Sequence, residues 1–441
     1  MILVGNGKLY TRDTNHPYEE NGAVAIDGDT IREVGTYAVL KEKYKDASLL
    51  DARGKIIMPG FINAHEHIYS AFARGLSLPG RPPKNFLEIL DGTWWHLDRQ
   101  LLLENTYYSA VAVYLECIRY GVTTVFDHHA SYGAVTDSLF MIAKAAEEFH
   151  VRTSLAYEVS DRDGEEKMKA SVNENRAFLE YAKTKNSDML NGLFGLHASF
   201  TLSDSTLDYV KEQNTCGAGY HVHVAEGQYD AEHCREHYEI SVVERLQKFG
   251  ILGSQSVAGH CIHIDDSDLE ILKETDTAVV HNPESNMGNA VGAPDVFKLL
   301  DRGILTGLGT DGYTNDMLES LKVANILQKH LHGMPDRGFG EACTLLFENN
   351  AEIANRYLRK KTGILKPGAY ADIILVDYDP VTPLAEENLN GHLMFGMQGA
   401  MTDTTIINGK VLMKDKKMLS VDVEELHAKC RESAKELWKR L

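Results

Sequence analysis

Nineteen histidines occur among 441 residues, and several stand beside carboxylates at spacings that suit metal chemistry. Asn63-Ala64-His65-Glu66-His67 places two imidazoles at i and i+2. In a strand such residues share one face, so both can reach a single cation. Tyr220-His221-Val222-His223-Val224-Ala225-Glu226 adds a third nitrogen and, three residues on, a carboxylate able to shuttle protons beside a metal-polarised water. His221 shares the pleat face of His223, and His223 is preferred because it lies nearer the strand end and Glu226. Three more apolar segments close in Gly259-His260-Cys261, His281-Asn282-Pro283 and Gly309-Thr310-Asp311-Gly312. An acidic Asp311 completes three His and one Asp, a donor set for one divalent ion: Zn²⁺ first, with Fe²⁺ or Mn²⁺ as alternatives. The fourth segment, Phe194-Gly195-Leu196-His197-Ala198-Ser199, ends without the lysine that bridges two ions in some barrel hydrolases, which favours one metal.

Positioning these groups requires many strands that end together. From Ile56 onward the chain shows eight brief apolar runs, from Ile56–His67 to Ile304–Asp311, separated by helix-like stretches. That pattern predicts an α/β fold, a (β/α)₈ barrel over residues 57–365, whose chemistry sits at the C-terminal strand ends. Residues 1–56 and 366–415 read as short strands with Gly-rich turns and are expected to form one small β-sandwich built from both chain ends. Residues 416–441 read as an amphipathic helix with Leu426, Cys430, Leu437 and Leu441 on one face, packing on its own subunit or on a partner.

Composition removes other classes. With 64 acidic and 45 basic residues the formal charge is −19, which argues against nucleic-acid or anionic-membrane partners. A 43% hydrophobic and 25% charged content is that of a globular chain, not a disordered one. No two of the six cysteines form a C-x-x-C pair, and neither a leader nor a membrane-length apolar run is visible, so a cytoplasmic protein is expected. The H-x-E with P-C-x-x-C signature of cytidine-type zinc deaminases is absent.

The segments Met58-Pro59-Gly60-Phe61-Ile62-Asn63-Ala64-His65-Glu66-His67, His223-x-x-Glu226, Gly259-His260-Cys261, His281-Asn282-Pro283-x-Ser285-Asn286, Thr310-Asp311-Gly312 and Gly363–Asp372 resemble the amidohydrolase superfamily, in its ATZ/TRZ-type aminohydrolase and chlorohydrolase branch. The resemblance spans residues 1 to about 415. Trp94-Trp95-x-Leu97-Asp98 and Asp127-His128-His129-Ala130-Ser131 are most similar to the SsnA group of that branch. It implies His65, His67, His223 and Asp311 as metal ligands, Glu226 as proton shuttle, His260 as polariser of the attacked carbon, and His197 as a substrate contact. His128, His281 and Trp95 are further candidates for substrate contact. For His128-His129 a second metal site and a buried structural pair are also open. Tyr313, where relatives carry small polar residues, is expected to reshape the pocket wall.

The expected reaction is hydrolytic deamination of an amino-substituted purine, pyrimidine or triazine, by hydroxide generated on the metal attacking a ring carbon. Opening of a purine- or hydantoin-like lactam is the alternative within the same site, and a catalytically silent barrel serving as a binding module is the alternative outside enzymology. The expected partner is a small heterocycle, with no nucleic acid and no membrane. A homodimer is compatible with the resemblance.

Overall fold

The structure, a computed structural model, describes residues 1–441. Eight parallel strands form its centre: Phe61–Glu66, Val122–His129, Arg152–Tyr157, a fourth strand in two pieces (Leu190–Gly192 and Phe194–Ala198), Tyr220–Val224, Val257–His260, Ala278–His281 and Thr306–Leu308. Hydrogen bonding groups them into a sheet of the first three strands with Leu190–Gly192 and a sheet of Phe194–Ala198 with the last four. Isolated parallel bridges join the two sheets at both seams, Val159 to Leu196 and Glu66 to Asp311. At the second seam the amides of Thr310 and Asp311 donate to the His65 carbonyl and the His67 amide donates to the Asp311 carbonyl. The strands therefore run round a ring, and nearly all their residues are buried, as a parallel sheet covered on both faces demands.

Two glycines allow the close approaches. A Cβ on Gly60 would lie 2.2 Å from Thr123 Cγ2, and one on Gly309 would lie 2.4 Å from Asn282 Oδ1 and 2.6 Å from the His65 carbonyl oxygen. Gly60 also divides the first apolar run: Ile56–Pro59 belongs to the small sheet, and only Phe61–Glu66 enters the ring. Between the first two ring strands, helix Leu103–Tyr120 packs Ala110, Val113, Tyr114 and Cys117 inward and stops at Gly121, whose φ of 77° returns the chain to the second strand.

The two chain ends meet in one sheet. Ile2–Tyr10, Tyr18–Asp27, Thr30–Thr36, Ser48–Asp51 and Ile56–Pro59 join Ile373–Val376, Thr402–Ile407, Lys410–Lys414 and Lys417–Met418, with Ile56–Pro59 antiparallel to Ile373–Val376 at the junction. As expected of a small β unit built from both chain ends, hydrogen bonds link these strands into one nine-stranded sheet that closes over its own core, where Val24 and Ile31 from one end pack with Ile373 and Ile406 from the other. Arg152, at the start of the third ring strand, donates to Asp372 Oδ2 at 3.0 Å with both side chains buried, and so ties this sheet to the N-terminal end of the ring.

The terminal helix, Val423–Trp438, begins at Asp422, whose carboxylate accepts from the Glu425 amide, and packs on helix Leu103–Tyr120 of the same chain with Cys430 and Leu437 buried. Asn105 Nδ2 donates to Ser433 Oγ at 3.0 Å and Trp438 Nε1 donates to the Phe72 carbonyl at 2.7 Å. No helix is long and apolar enough to cross a membrane.

Candidate active site

The pleat aims His65 and His67 inward, and each ring has one nitrogen committed elsewhere. His65 Nδ1 lies 2.8 Å from His221 Nε2, and buried His65 Nε2 has no hydrogen-bond partner. His67 Nδ1 donates to the His128 carbonyl at 2.5 Å, which leaves Nε2 3.5 Å from Asp311 Oδ1 and 3.3 Å from His223 Nε2. His223 Nδ1 in turn donates to the His197 carbonyl at 3.1 Å. His65 Nε2 and Asp311 Oδ2 are 3.8 Å apart. Three rings, each with its other nitrogen held by a second partner, and one carboxylate thus converge, and His65 Nε2 is left without any partner. Such a donor set fits a divalent cation. His221 serves the deeper layer, orienting His65, consistent with the preference for His223 nearer the strand end.

His67 and His223 also face His128 and Glu158, a second set of four donors. The nitrogen of His67 nearest Glu158, Nδ1, is already engaged by the His128 carbonyl, so this set lacks a free fourth donor.

Glu226 and His260 complete the centre. His260 Nε2 stands 3.3 Å from Asp311 Oδ2 and 3.5 Å from Glu226 Oε2, while His260 Nδ1 is fixed by Asn286 Oδ1 at 2.8 Å. Burial, reinforced by the Asp311 charge, drives the Glu226 carboxyl well above the ordinary carboxylate range. Burial likewise pushes His65, His223 and His260 down, whereas at His67 the Asp311 and Glu158 carboxylates outweigh it and push the ring up. The backbone here is strained. Ala225, His260, Cys261 and Asp311 adopt φ of 45°, 68°, 51° and 55°, left-handed values that cost a non-glycine residue on the order of 1–3 kcal/mol. The turns at the ends of the fifth, sixth and eighth strands deliver Glu226, His260 and Asp311.

A cavity opens on this centre, lined among others by His67, Tyr69, Trp94, Trp95, Glu158, His197, Glu226 and Asp311. An adjoining, more apolar recess shares Phe86, Leu90, His197 and Glu226 with it. Trp95 meets His197 edge-on at 6.0 Å, with the Arg162 guanidinium 5.2 Å over the indole. His197 Nδ1 is fixed by Thr201 Oγ1 at 2.9 Å.

Two residues expected at the cavity stay behind it. His128 is fully buried with Nε2 against the His221 carbonyl at 3.0 Å, its ring packed against those of His221 and His223. His281 is also fully buried: the chain turns straight into helix Pro283–Gly288, whose Asn286 stands between His281 and His260. His129 is buried beside Tyr69 and Tyr157 with neither ring nitrogen bonded, so the histidine pair is not hydrogen-bonded throughout. Tyr313 lines neither cavity; it is 46% exposed and its hydroxyl abuts Gly288, so Gly312 supplies the wall there. Glu158 and Tyr69 escape a reading by residue type. Glu158 lies one residue past the third strand, whose run closes in Tyr157, so only a search carried one position beyond the strand end finds it.

The amidohydrolase family profile matches residues 56–412, and a short match to an imidazolonepropionase-like composite domain of bacteria covers residues 22–44. A 5'-deoxyadenosine deaminase of Methanosarcina acetivorans is 32% identical over 447 residues, covering 99% of this chain and 98% of that protein. A 5-methylthioadenosine/S-adenosylhomocysteine deaminase of Thermococcus sibiricus is 31% identical, covering 93% and 94%. Among solved structures, a zinc-bound adenosine deaminase from Xanthomonas campestris superposes with a TM-score of 0.85 at 18% identity, covering 99% and 98% of the two chains. The zinc complex of the atrazine chlorohydrolase TrzN from Arthrobacter aurescens gives 0.84 at 20%, covering 98% and 100%. With these matches over almost its whole length, and with its histidines and Asp311 gathered at the strand ends, the chain belongs to the amidohydrolase family.

Proposed function

We propose that this protein is a metal-dependent hydrolase that deaminates an amino-substituted N-heterocycle. The observation that carries the reading is the convergence of Glu226, His260 and Asp311 beside the His65–His67–His223 donor set, at 3.3 and 3.5 Å between the interacting atoms. The deaminase names of both relatives favour loss of ammonia over ring opening. His65, His67, His223 and Asp311 hold the ion. Zn²⁺ is the ion proposed, supported by zinc in the two similar solved structures. When bound, the ion polarises water so that a nucleophile exists near neutral pH.

The chain's own groups do the rest. Asp311 accepts the proton that water gives up. Glu226, kept protonated by burial and the Asp311 charge, donates to a ring nitrogen of the substrate. His260, its Nδ1 anchored by Asn286, turns Nε2 toward the charge that develops at the attacked carbon's substituents. Water adds, the carbon–nitrogen bond to the amino group breaks, and ammonia leaves. Trp95 and His197 hold the ring from one side. The test is ammonia release by metal-replete protein across aminopurines, their nucleosides, aminopyrimidines and aminotriazines, with mass spectrometry of each product. Exchange of NH₂ for OH with one equivalent of ammonia is the expected result. A product heavier by one water without ammonia would instead mean ring opening.

A further inference from the structure

Glu158 is the one cavity carboxylate for which the reaction above has no use. Its side chain is 5% exposed, lines the cavity, and takes part in no hydrogen bond. The nearest polar atoms are His128 Nδ1 at 3.3 Å from Oε1, His67 Nδ1 at 3.6 Å from Oε1 and His197 Nε2 at 4.0 Å from Oε2. The other contacts of these rings set where their hydrogens point, and none is aimed at Glu158. His128 Nε2 lies against a carbonyl and must carry the hydrogen there, which leaves Nδ1 a bare lone pair. His67 spends its Nδ1 hydrogen on the His128 carbonyl. Thr201 Oγ1 donates to the Ala198 carbonyl, so it accepts from His197 Nδ1 and leaves His197 Nε2 bare. Glu158 and His197 therefore present two acceptors side by side to the cavity, Glu158 Oε2 and His197 Nε2 4.0 Å apart. A single ion is a poor fit, because His128 and His197 face opposite oxygens of the carboxylate and the three do not form a common donor group.

We infer that Glu158 and His197 Nε2 form a specificity subsite for a planar N–H donor edge, of the amidine or cyclic guanidine kind, on the substrate. Adjacent N–H groups in one plane match a carboxylate and a neighbouring imidazole lone pair, as bidentate pairs do. The inference deepens the heterocycle reading above by selecting rings that carry donors remote from the leaving amino group.

The test is isothermal titration of the full-length, zinc-loaded protein with benzamidine, its neutral isostere benzamide, and adenosine, whose ribose offers O–H donors instead. The wild-type protein is expected to bind benzamidine at least tenfold more tightly than benzamide. Glu158→Gln should abolish that preference, with zinc content and adenosine affinity unchanged. Glu158→Asp should keep part of it and carries the test should the Gln variant fail to fold. A preference that is absent from the wild type or survives Glu158→Gln overturns the inference. So does a loss confined to adenosine, which would mean a diol subsite, or loss of bound metal, which would mean a ligand role. Binding requires no turnover, so silence of every heterocycle in the ammonia assay would sink the deaminase reading and leave this result standing.

Discussion

The two halves of the ring deliver their polar groups by different means. In the half built from the first four strands, His65 and His67 come inward by simple alternation along an extended strand, and no non-glycine residue at those strand ends leaves the ordinary backbone regions. In the other half, three of four strand ends break into left-handed turns at Ala225, His260–Cys261 and Asp311. Only His223 arrives there by pleat alone. The difference matches the roles proposed for these groups. Metal-donor nitrogens need direction, which a pleat supplies cheaply. A proton donor, a polariser and a base must meet over the same substrate atoms, and that demands corners no relaxed strand makes.

Substitutions on either side of this divide should behave differently. The largest effect is expected at Asp311, where donor and base coincide: Asp311→Asn should lose both metal, read by elemental analysis, and turnover. Glu226→Gln should separate the two, keeping metal while turnover falls about 10²- to 10⁴-fold. Equal metal loss in both variants would erase the distinction between donor and proton-moving groups. Smaller effects concern the backbone. Ala64→Gly, in the extended and buried first strand, should cost about 1–2 kcal/mol in urea unfolding, from lost burial and added chain entropy. Ala225→Gly also removes a buried methyl but releases a φ of 45°, an expected gain of about 1–2 kcal/mol that nearly cancels the loss. If Ala225→Gly proves as damaging as Ala64→Gly, the left-handed turn stores no strain and the contrast fails.

This divide also explains what the sequence could disclose. His65 and His67 are legible because period two alone decides their direction, and the eight runs ending in polar residues are enough to predict a ring of parallel strands. His221 and His223 share a face, and position along the strand separates them: His221, deeper, lies against His65, and His223, nearer the strand end, faces His67. For His128 and His281 a strand-end position does not bring exposure. The His221 and His223 rings cover one, and Asn286 stands beside the other. Glu158 lies one residue beyond a run that closes in Tyr157, where a search confined to runs ending in His or Asp does not reach. In the sheet of the two chain ends both the strands and their joining are legible, but the junction is not, because it depends on how Ile56–Pro59 pairs with residues more than three hundred positions later.

The bond from Trp438 to the Phe72 carbonyl spans 366 residues and secures the turn that carries Tyr69 and Ser70 to the cavity. During synthesis, all four proposed metal donors have been made while this clasp is still unmade. A nascent chain can therefore gather its histidines before the wall above them has settled, and the pocket acquires its final shape only as the last turn of the terminal helix comes to rest. Shaping of the substrate's chamber is thus a late event in the birth of the molecule, later than assembly of the centre it serves.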